Sequence, residues 1–141
     1  MSETLFEATN TQESLSNADA FVKLAGTQDG KDDLFFMDNV RLLFVAVSEL
    51  LRLYGTDASV TNEYIATDCS NKEYKQAFQH LTNHLSEHAT RNSVRQMFAR
   101  AEAKNDPEFA TGLKAWNTAF THPDRTLATT LVILHMGLAA A

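Results

Sequence analysis

The longest run of hydrophobic positions in the chain lies between Leu34 and Tyr54, where the polar residues are few. If each residue turns a helix by about 100°, these polar positions share roughly a third of the circumference, with only Asn39 outside the strip. The residues of this polar strip are Asp38, Arg41, Ser48, Glu49 and Arg52. A helix that is apolar over most of its surface must be enclosed by neighbours. The pattern therefore predicts a central core helix.

The residues before this run predict a polar arm and then a short helix. Residues 1–14 contain only Leu5 and Phe6 as large apolar groups. The segment Ser16-Asn17-Ala18-Asp19 has the spacing of a capping box, and several apolar residues follow it before Gly26. We therefore expect an acidic and polar N-terminal arm over residues 1–15 and a single domain over residues 16–141.

Three further helices are predicted in the middle of the chain, the second of them after a break in the first apolar pattern. Ser70-Asn71-Lys72-Glu73 forms a capping box, and apolar residues recur behind it at helical spacing. The apolar phase then shifts, which predicts a break near residues 90–93. Asp106-Pro107 is a typical helix start, and it precedes a second periodic set. This set comprises Phe109, Leu113, Trp116 and Phe120.

The last predicted helix carries leucines at alternating spacings of four and three residues. This seam consists of Leu127, Leu131, Leu134 and Leu138. The helix is hydrophobic nearly all round, but it is shorter than the roughly 20 apolar residues of a membrane span. Its leucines can be buried inside the fold, in a partner, or in a second copy of the chain.

The fold class that follows is all-α. No segment sustains the alternation of a strand, and no repeat of 20 to 50 residues is present. We expect a single compact bundle of five to seven helices around the central helix at about 33–54, with the terminal apolar helix at about 125–140. A chain of 141 residues that is 44% hydrophobic can bury one such core.

Negative charge is concentrated near the N-terminus. The formal net charge is -6, and residues 1–40 hold eight acids and two bases, whereas acids and bases balance in the remainder. The acidic residues Asp29, Asp32 and Asp33 lack the spacing of a calcium-binding loop. They indicate either a solvated face or a docking surface for a basic protein.

The strongest candidate for a metal or cofactor site is the stripe of His80, His84 and His88, spaced by four residues on one predicted helix. Two imidazoles at this spacing can share a metal ion. About 12 Å of helix rise separates the outer pair, so all three cannot bind one ion. The ordinary interpretation is a stripe of boundary residues without a cofactor. The alternative is a metal- or haem-binding bundle, with zinc or another transition metal.

Nucleic-acid binding is disfavoured by the acidic balance of the chain. The strongest basic patch consists of Arg91, Arg95, Arg100 and Lys104. These residues do not follow one line of a helix, and no Tyr or Trp is interleaved for base stacking. A small nucleic-acid-associated subunit is the third hypothesis.

No catalytic signature is present in the sequence. The single cysteine, Cys69, excludes an internal disulfide framework, and the N-terminus lacks the pattern of a signal peptide. We therefore expect an intracellular, non-enzymatic protein that binds another protein or itself through the C-terminal helix. An adaptor, an inhibitor or a subunit of a larger complex, such as a virion or an effector assembly, all match this expectation.

Overall fold

In the part of the chain that it describes, a computed structural model gives the bounds of five helices, and these helices define an all-α fold. They are α1 (Thr11–Asp29), α2 (Leu34–Tyr54), α3 (Tyr74–Asn83), α4 (Ala110–Ala119) and α5 (Asp124–Ala140). The described residues are 5–29, 34–54, 74–83, 85, 87, 91, 92, 94–96, 99, 110–121 and 124–140. Further helical residues occur between 91 and 99, and no strand occurs within the described ranges. The all-α prediction is confirmed.

The central helix of the bundle is α2, and its bounds coincide with the hydrophobic run that predicted it. It packs against α1, α3, α4 and α5. Every residue from 43 to 51 is buried, which is more than two complete turns enclosed on all sides. Removing each large apolar side chain of such a segment from water contributes about 1.5–3 kcal/mol. The enclosed apolar side chains of α2 are therefore the main contribution to the hydrophobic core.

Four phenylalanine rings meet around Phe44 on α2. Its ring centroid lies 4.8 Å from that of Phe21 on α1 and 4.8 Å from that of Phe78 on α3. Phe6 completes the cluster, with centroid distances of 5.9 Å to Phe44 and 5.2 Å to Phe78. These distances are typical of favourable aromatic pairs, which contribute about 0.5–1.5 kcal/mol beyond burial. The cluster joins the N-terminal segment, α1, α2 and α3.

The first helix begins before its predicted start and continues past its predicted end. The side-chain oxygen of Asn10 accepts a hydrogen bond from the backbone N–H of Glu13 at 2.9 Å, so Asn10 is the N-cap. A carboxylate oxygen of Glu13 accepts from the backbone N–H of Thr9 at 2.8 Å. This cap precedes the predicted one at Ser16, and Gly26 lies within the helix. Phe6, expected in a polar arm, is 1% exposed.

The predicted helix that begins near residue 70 ends earlier than the phase shift suggested. Within its described part, α3 ends at Asn83, where the backbone N–H of Leu85 donates to the carbonyl of Thr82 at 3.2 Å. The ring Nε2 of His135 on α5 lies 3.3 Å from the same carbonyl. A carbonyl at a helix C-terminus lacks an intrahelical donor, so these contacts satisfy it.

The terminal helix α5 lies against α1, α2 and α3. Its span agrees with the predicted helix at about 125–140. Among the helices that the structure describes, none combines the length and apolarity needed to cross a bilayer.

The burial of Phe6 yields the first prediction. Replacing Phe6 with Ala empties a core site between two other rings, so the free energy of unfolding should fall by about 3–5 kcal/mol. Urea denaturation followed by circular dichroism measures this change. The neighbouring exposed residue provides the control, because Glu7→Ala should alter stability by no more than about 0.5 kcal/mol. Equal, small effects of both substitutions would show that the N-terminal segment is not part of the core.

Candidate interaction surface

A buried carboxylate joins α1 to α2. Glu49 on α2 is 0% exposed. One of its oxygens, Oε1, accepts a hydrogen bond from the hydroxyl of Thr11 at 2.6 Å, and the other, Oε2, accepts from the hydroxyl of Ser14 at 2.9 Å. Arg52 supplies two more donors, with Nε 2.6 Å from Oε2 and Nη2 3.2 Å from Oε1. Each carboxylate oxygen therefore receives two hydrogen bonds.

The side chains around Glu49 also form hydrogen bonds with one another. Ser14 gives its single proton to Glu49, so the 3.1 Å contact between Ser14 and Ser48 requires Ser48 to donate. Thr11 donates to Glu49 and accepts from Nη2 of Arg52 at 3.2 Å. A carboxylate has about four acceptor sites, and here all four are occupied. We call Thr11, Ser14, Ser48, Glu49 and Arg52 the buried polar cluster.

The cluster determines the protonation of Glu49. Burial raises the pKa of this carboxyl, but the hydrogen bonds from Arg52, Thr11 and Ser14 and the charge of Arg52 lower it, and the net pKa lies below the ordinary value of 4.5. Glu49 is therefore ionised at neutral pH. An ionised group with every acceptor site filled and no exposed surface has no position left for a substrate, so the cluster is structural.

At the C-terminal end of α2, the predicted polar strip faces α1 rather than solvent. Ser48, Glu49 and Arg52 contact the first turn of α1. Towards the start of α2, Nε of Arg41 lies 2.7 Å from a carboxylate oxygen of Asp19, further along α1. The two helices therefore run antiparallel. The Arg41–Asp19 pair is partly exposed, so its contribution to stability is at most about 1 kcal/mol.

The leucine seam of α5 lies in the core of a single chain. Leu127, Leu131, Leu134 and Leu138 are all buried. Because α5 contacts α1, α2 and α3, the folded chain itself buries these leucines, and an interface through them stays a prediction. Their burial explains the leucine spacing without a partner molecule.

The opposite side of α5 carries the exposed apolar side chains. Val132 is 58% exposed and Met136 is 38% exposed, and they lie one turn apart. They are the large apolar side chains that stand out as exposed within the described part of the chain. We call this strip the outer face of α5, and its exposed residues are Arg125, Ala128, Thr129, Val132, Met136 and Ala139.

Sequence reasoning missed the outer face because the helix is hydrophobic on nearly every side. The leucine spacing indicated the side of the helix that is buried within the chain. A usable signal was present, since Ala128, Val132 and Met136 recur every four residues with no charged residue after Arg125. Separating the buried side from the exposed side required the positions of α1, α2 and α3.

The histidine stripe falls outside the described side chains. His80 lies on α3, but its side chain is not among those described, and His84 and His88 lie outside the described residues. Within the described part of the chain, no group of three His, Cys, Asp or Glu residues is arranged to hold a metal ion. The metal or haem alternative stays a prediction.

The predicted acidic docking face consists of Asp29, Asp32 and Asp33, and their side chains are not among those described. Other acidic residues of the same third are exposed, and two of them have intramolecular partners. Glu13 accepts hydrogen bonds from Thr9, and these bonds lower its pKa. Asp19 pairs with Arg41. Docking of a basic protein on this face stays a prediction.

The predicted basic patch is not one exposed surface. Arg91 is 8% exposed, and its guanidinium carbon lies 5.9 Å from the ring centroid of Phe120. This geometry is a cation–π contact, so Arg91 belongs to the packing between chain segments. Arg95 is exposed, whereas Arg100 and Lys104 lie outside the described residues. Arg91 is therefore a covered member of the predicted patch, and nucleic-acid binding through the patch stays a prediction.

No protein-family model, curated protein or solved structure matches this chain.

The buried polar cluster yields the second prediction. Replacing Glu49 with Gln keeps the shape but removes the buried negative charge that Arg52 contacts, so the free energy of unfolding at pH 7 should fall by about 3 kcal/mol. Because the folded-state pKa of Glu49 is lowered, its ionisation stabilises the protein above the unfolded value of 4.5. This stabilisation is lost as the pH falls through the lowered pKa.

Urea denaturation at pH values across the acid range measures the free energy of unfolding of the native chain and of the Glu49→Gln variant. The stability gap between the native chain and the Glu49→Gln variant should be constant above about pH 5.5, one unit above the unfolded pKa, and should shrink below it. The exposed Glu7→Gln is the matched control. A gap that does not depend on pH would contradict the stabilising role of the ionised carboxylate.

Proposed function

We propose that this protein acts by binding another protein, and that the outer face of α5 is the contact surface. The observation that carries the proposal is the exposure of Val132 and Met136 one turn apart on the same helix. Adjacent exposed apolar side chains on one helix face favour an interaction surface here because one of them is Met, a residue enriched at interface cores. The proposed role is binding rather than catalysis.

The chemistry of the outer face supports a contact that excludes water. From Ala128 to Ala139 its exposed residues are uncharged. The one hydroxyl in this stretch belongs to Thr129, and it donates to the carbonyl of Arg125 within the helix at 3.4 Å. Burying this face therefore leaves no unpaired polar side chain, which avoids a cost of about 1–3 kcal/mol for an unsatisfied group.

The third prediction tests the proposal with a photo-activated cross-linker. A benzophenone side chain at position 132 should give adducts of discrete mass in an extract from the native source, because a partner lies against this residue. The same probe at Lys114, exposed on α4, is the matched control. Adding Met136→Lys to the first variant should remove the adducts, since burying an ammonium group is costly. Mass spectrometry identifies the products.

Two outcomes would overturn the proposal. The first is the absence of any adduct at position 132. The second is the same set of adducts from position 114, which would show nonspecific labelling. The substitutions lie on exposed positions, so circular dichroism should show an unchanged fold in every variant.

A further inference from the structure

We infer that the occupant of the outer face of α5 is a second copy of this chain, whose α5 lies antiparallel to the first. The inference rests on the proposed function and adds the identity and geometry of the partner. Three properties of the face support it: the charge at its two ends, the order of side-chain sizes along it, and its neutral centre.

The two ends of the face are complementary in charge. Arg125 is exposed in the first turn of α5, and the last turn contains no basic residue. A helix carries partial negative charge at its C-terminus, and a cation placed there stabilises it. In an antiparallel pair, Arg125 of each copy lies beside the last turn of the other helix. The second copy therefore supplies the cation that α5 lacks.

The side chains along the face are complementary in size. Val132 is the midpoint between Arg125 and Ala139 and the most exposed of the large apolar residues described. A two-fold axis through Val132 brings Ala128 of one copy opposite Met136 of the other. A large side chain then faces a small one on both sides of the axis, as packing between helices requires. A parallel pair would set Met136 against Met136.

The width of the face also suits a second helix. Its exposed residues span about 100° of the helix circumference, which matches the apolar stripe through which helices pack. The rise from Arg125 to Ala139 is about 21 Å. With a helix diameter of about 10 Å, the face covers roughly 200 Å², far below the roughly 800 Å² that each partner buries in a stable complex. The pair is therefore transient and depends on concentration.

The net charge of the chain affects the same equilibrium. Each copy carries a formal charge of -6, so two copies repel each other over long distances. Added salt screens this repulsion. Salt also screens the attraction of each Arg125 for the partner's last turn, but the repulsion between two charges of -6 is larger, so association should strengthen as the ionic strength rises.

Single-cysteine variants test the geometry in a Cys69→Ser background. With Val132→Cys, two thiols meet at the axis and a disulfide dimer should form at high protein concentration. In an equimolar mixture of Ala128→Cys and Met136→Cys, the mixed dimer should exceed each homodimer by clearly more than the twofold ratio that random pairing gives. Lys114→Cys is the control and should give only the background of random collisions. A mixed dimer at only the twofold ratio of random pairing, or homodimers in excess over the mixed dimer, would overturn the antiparallel arrangement.

Charge substitutions at Ala139 test the contact between the helix ends without a cross-link. Ala139→Glu should strengthen self-association in sedimentation equilibrium by roughly two- to fivefold at each of the two symmetric contacts, because Arg125 then meets a carboxylate. Ala139→Lys should weaken self-association by a similar factor. Equal effects of the two substitutions would overturn the assignment of Arg125 to the partner's last turn.

The photo-cross-linking products separate failure of this inference from failure of the proposed function. Adducts at position 132 with twice the mass of the chain support the second copy. Adducts of another mass, without disulfide dimers of Val132→Cys, would overturn the second copy and leave protein binding in place. Absence of adducts and of disulfide dimers would overturn both.

Discussion

The ionised carboxylate of Glu49 is the constraint on which the packing of α1 depends. A charge removed from water is tolerated only when hydrogen bonds and an opposite charge replace the lost hydration. Glu49 is 0% exposed, and donors from two helices meet this requirement. Moving α1 along α2 by one turn would break both hydroxyl contacts and leave the carboxylate short of donors. The buried polar cluster therefore fixes the register of the two helices, whereas the surrounding apolar contacts only favour their association.

The aromatic cluster and the buried polar cluster act on the same pair of helices in different ways. Phe21 on α1 stacks on Phe44 on α2, and Phe6 extends this contact to the segment before α1. Apolar burial is not directional, so these rings favour many similar arrangements. Hydrogen bonds to Glu49 are directional, and they select one arrangement. With α1 in place, one side of α5 is covered, and its other side faces outward.

The hydrophobic pattern predicted the elements of the fold better than their ends. The apolar run that defines α2 identified the helix and its enclosure, because periodicity reports burial directly. The start of α1 was misplaced because Asn10 with Glu13 and Ser16 with Asp19 both have capping spacing, and only packing selects the first. Gly26 marked no end, since α1 continues through it to Asp29 and a single glycine costs a helix only about 1 kcal/mol.

The sequence predicted that the terminal helix carries an interaction surface, but it did not predict which side of the helix carries it. An uncharged terminal helix indicated an interface, yet the leucine seam and the outer face were equivalent until neighbouring helices covered one of them. Likewise, Glu49 and Arg52 were expected on a polar strip, but no pattern along the chain indicated that Thr11 and Ser14 cover it. Contacts between residues 35 or more positions apart depend on tertiary packing, which a local pattern does not encode.

The most direct test of the central claim is a double-mutant cycle between α1 and α2, using Ser14→Ala and Glu49→Gln. If the hydroxyl of Ser14 stabilises the buried carboxylate, the two losses in unfolding free energy should differ from additivity by about 1 kcal/mol, since contacting residues couple by 0.5–3 kcal/mol. Additivity within about 0.3 kcal/mol would show that the two residues act independently. That result would contradict the role of Glu49 in setting the register of α1 on α2.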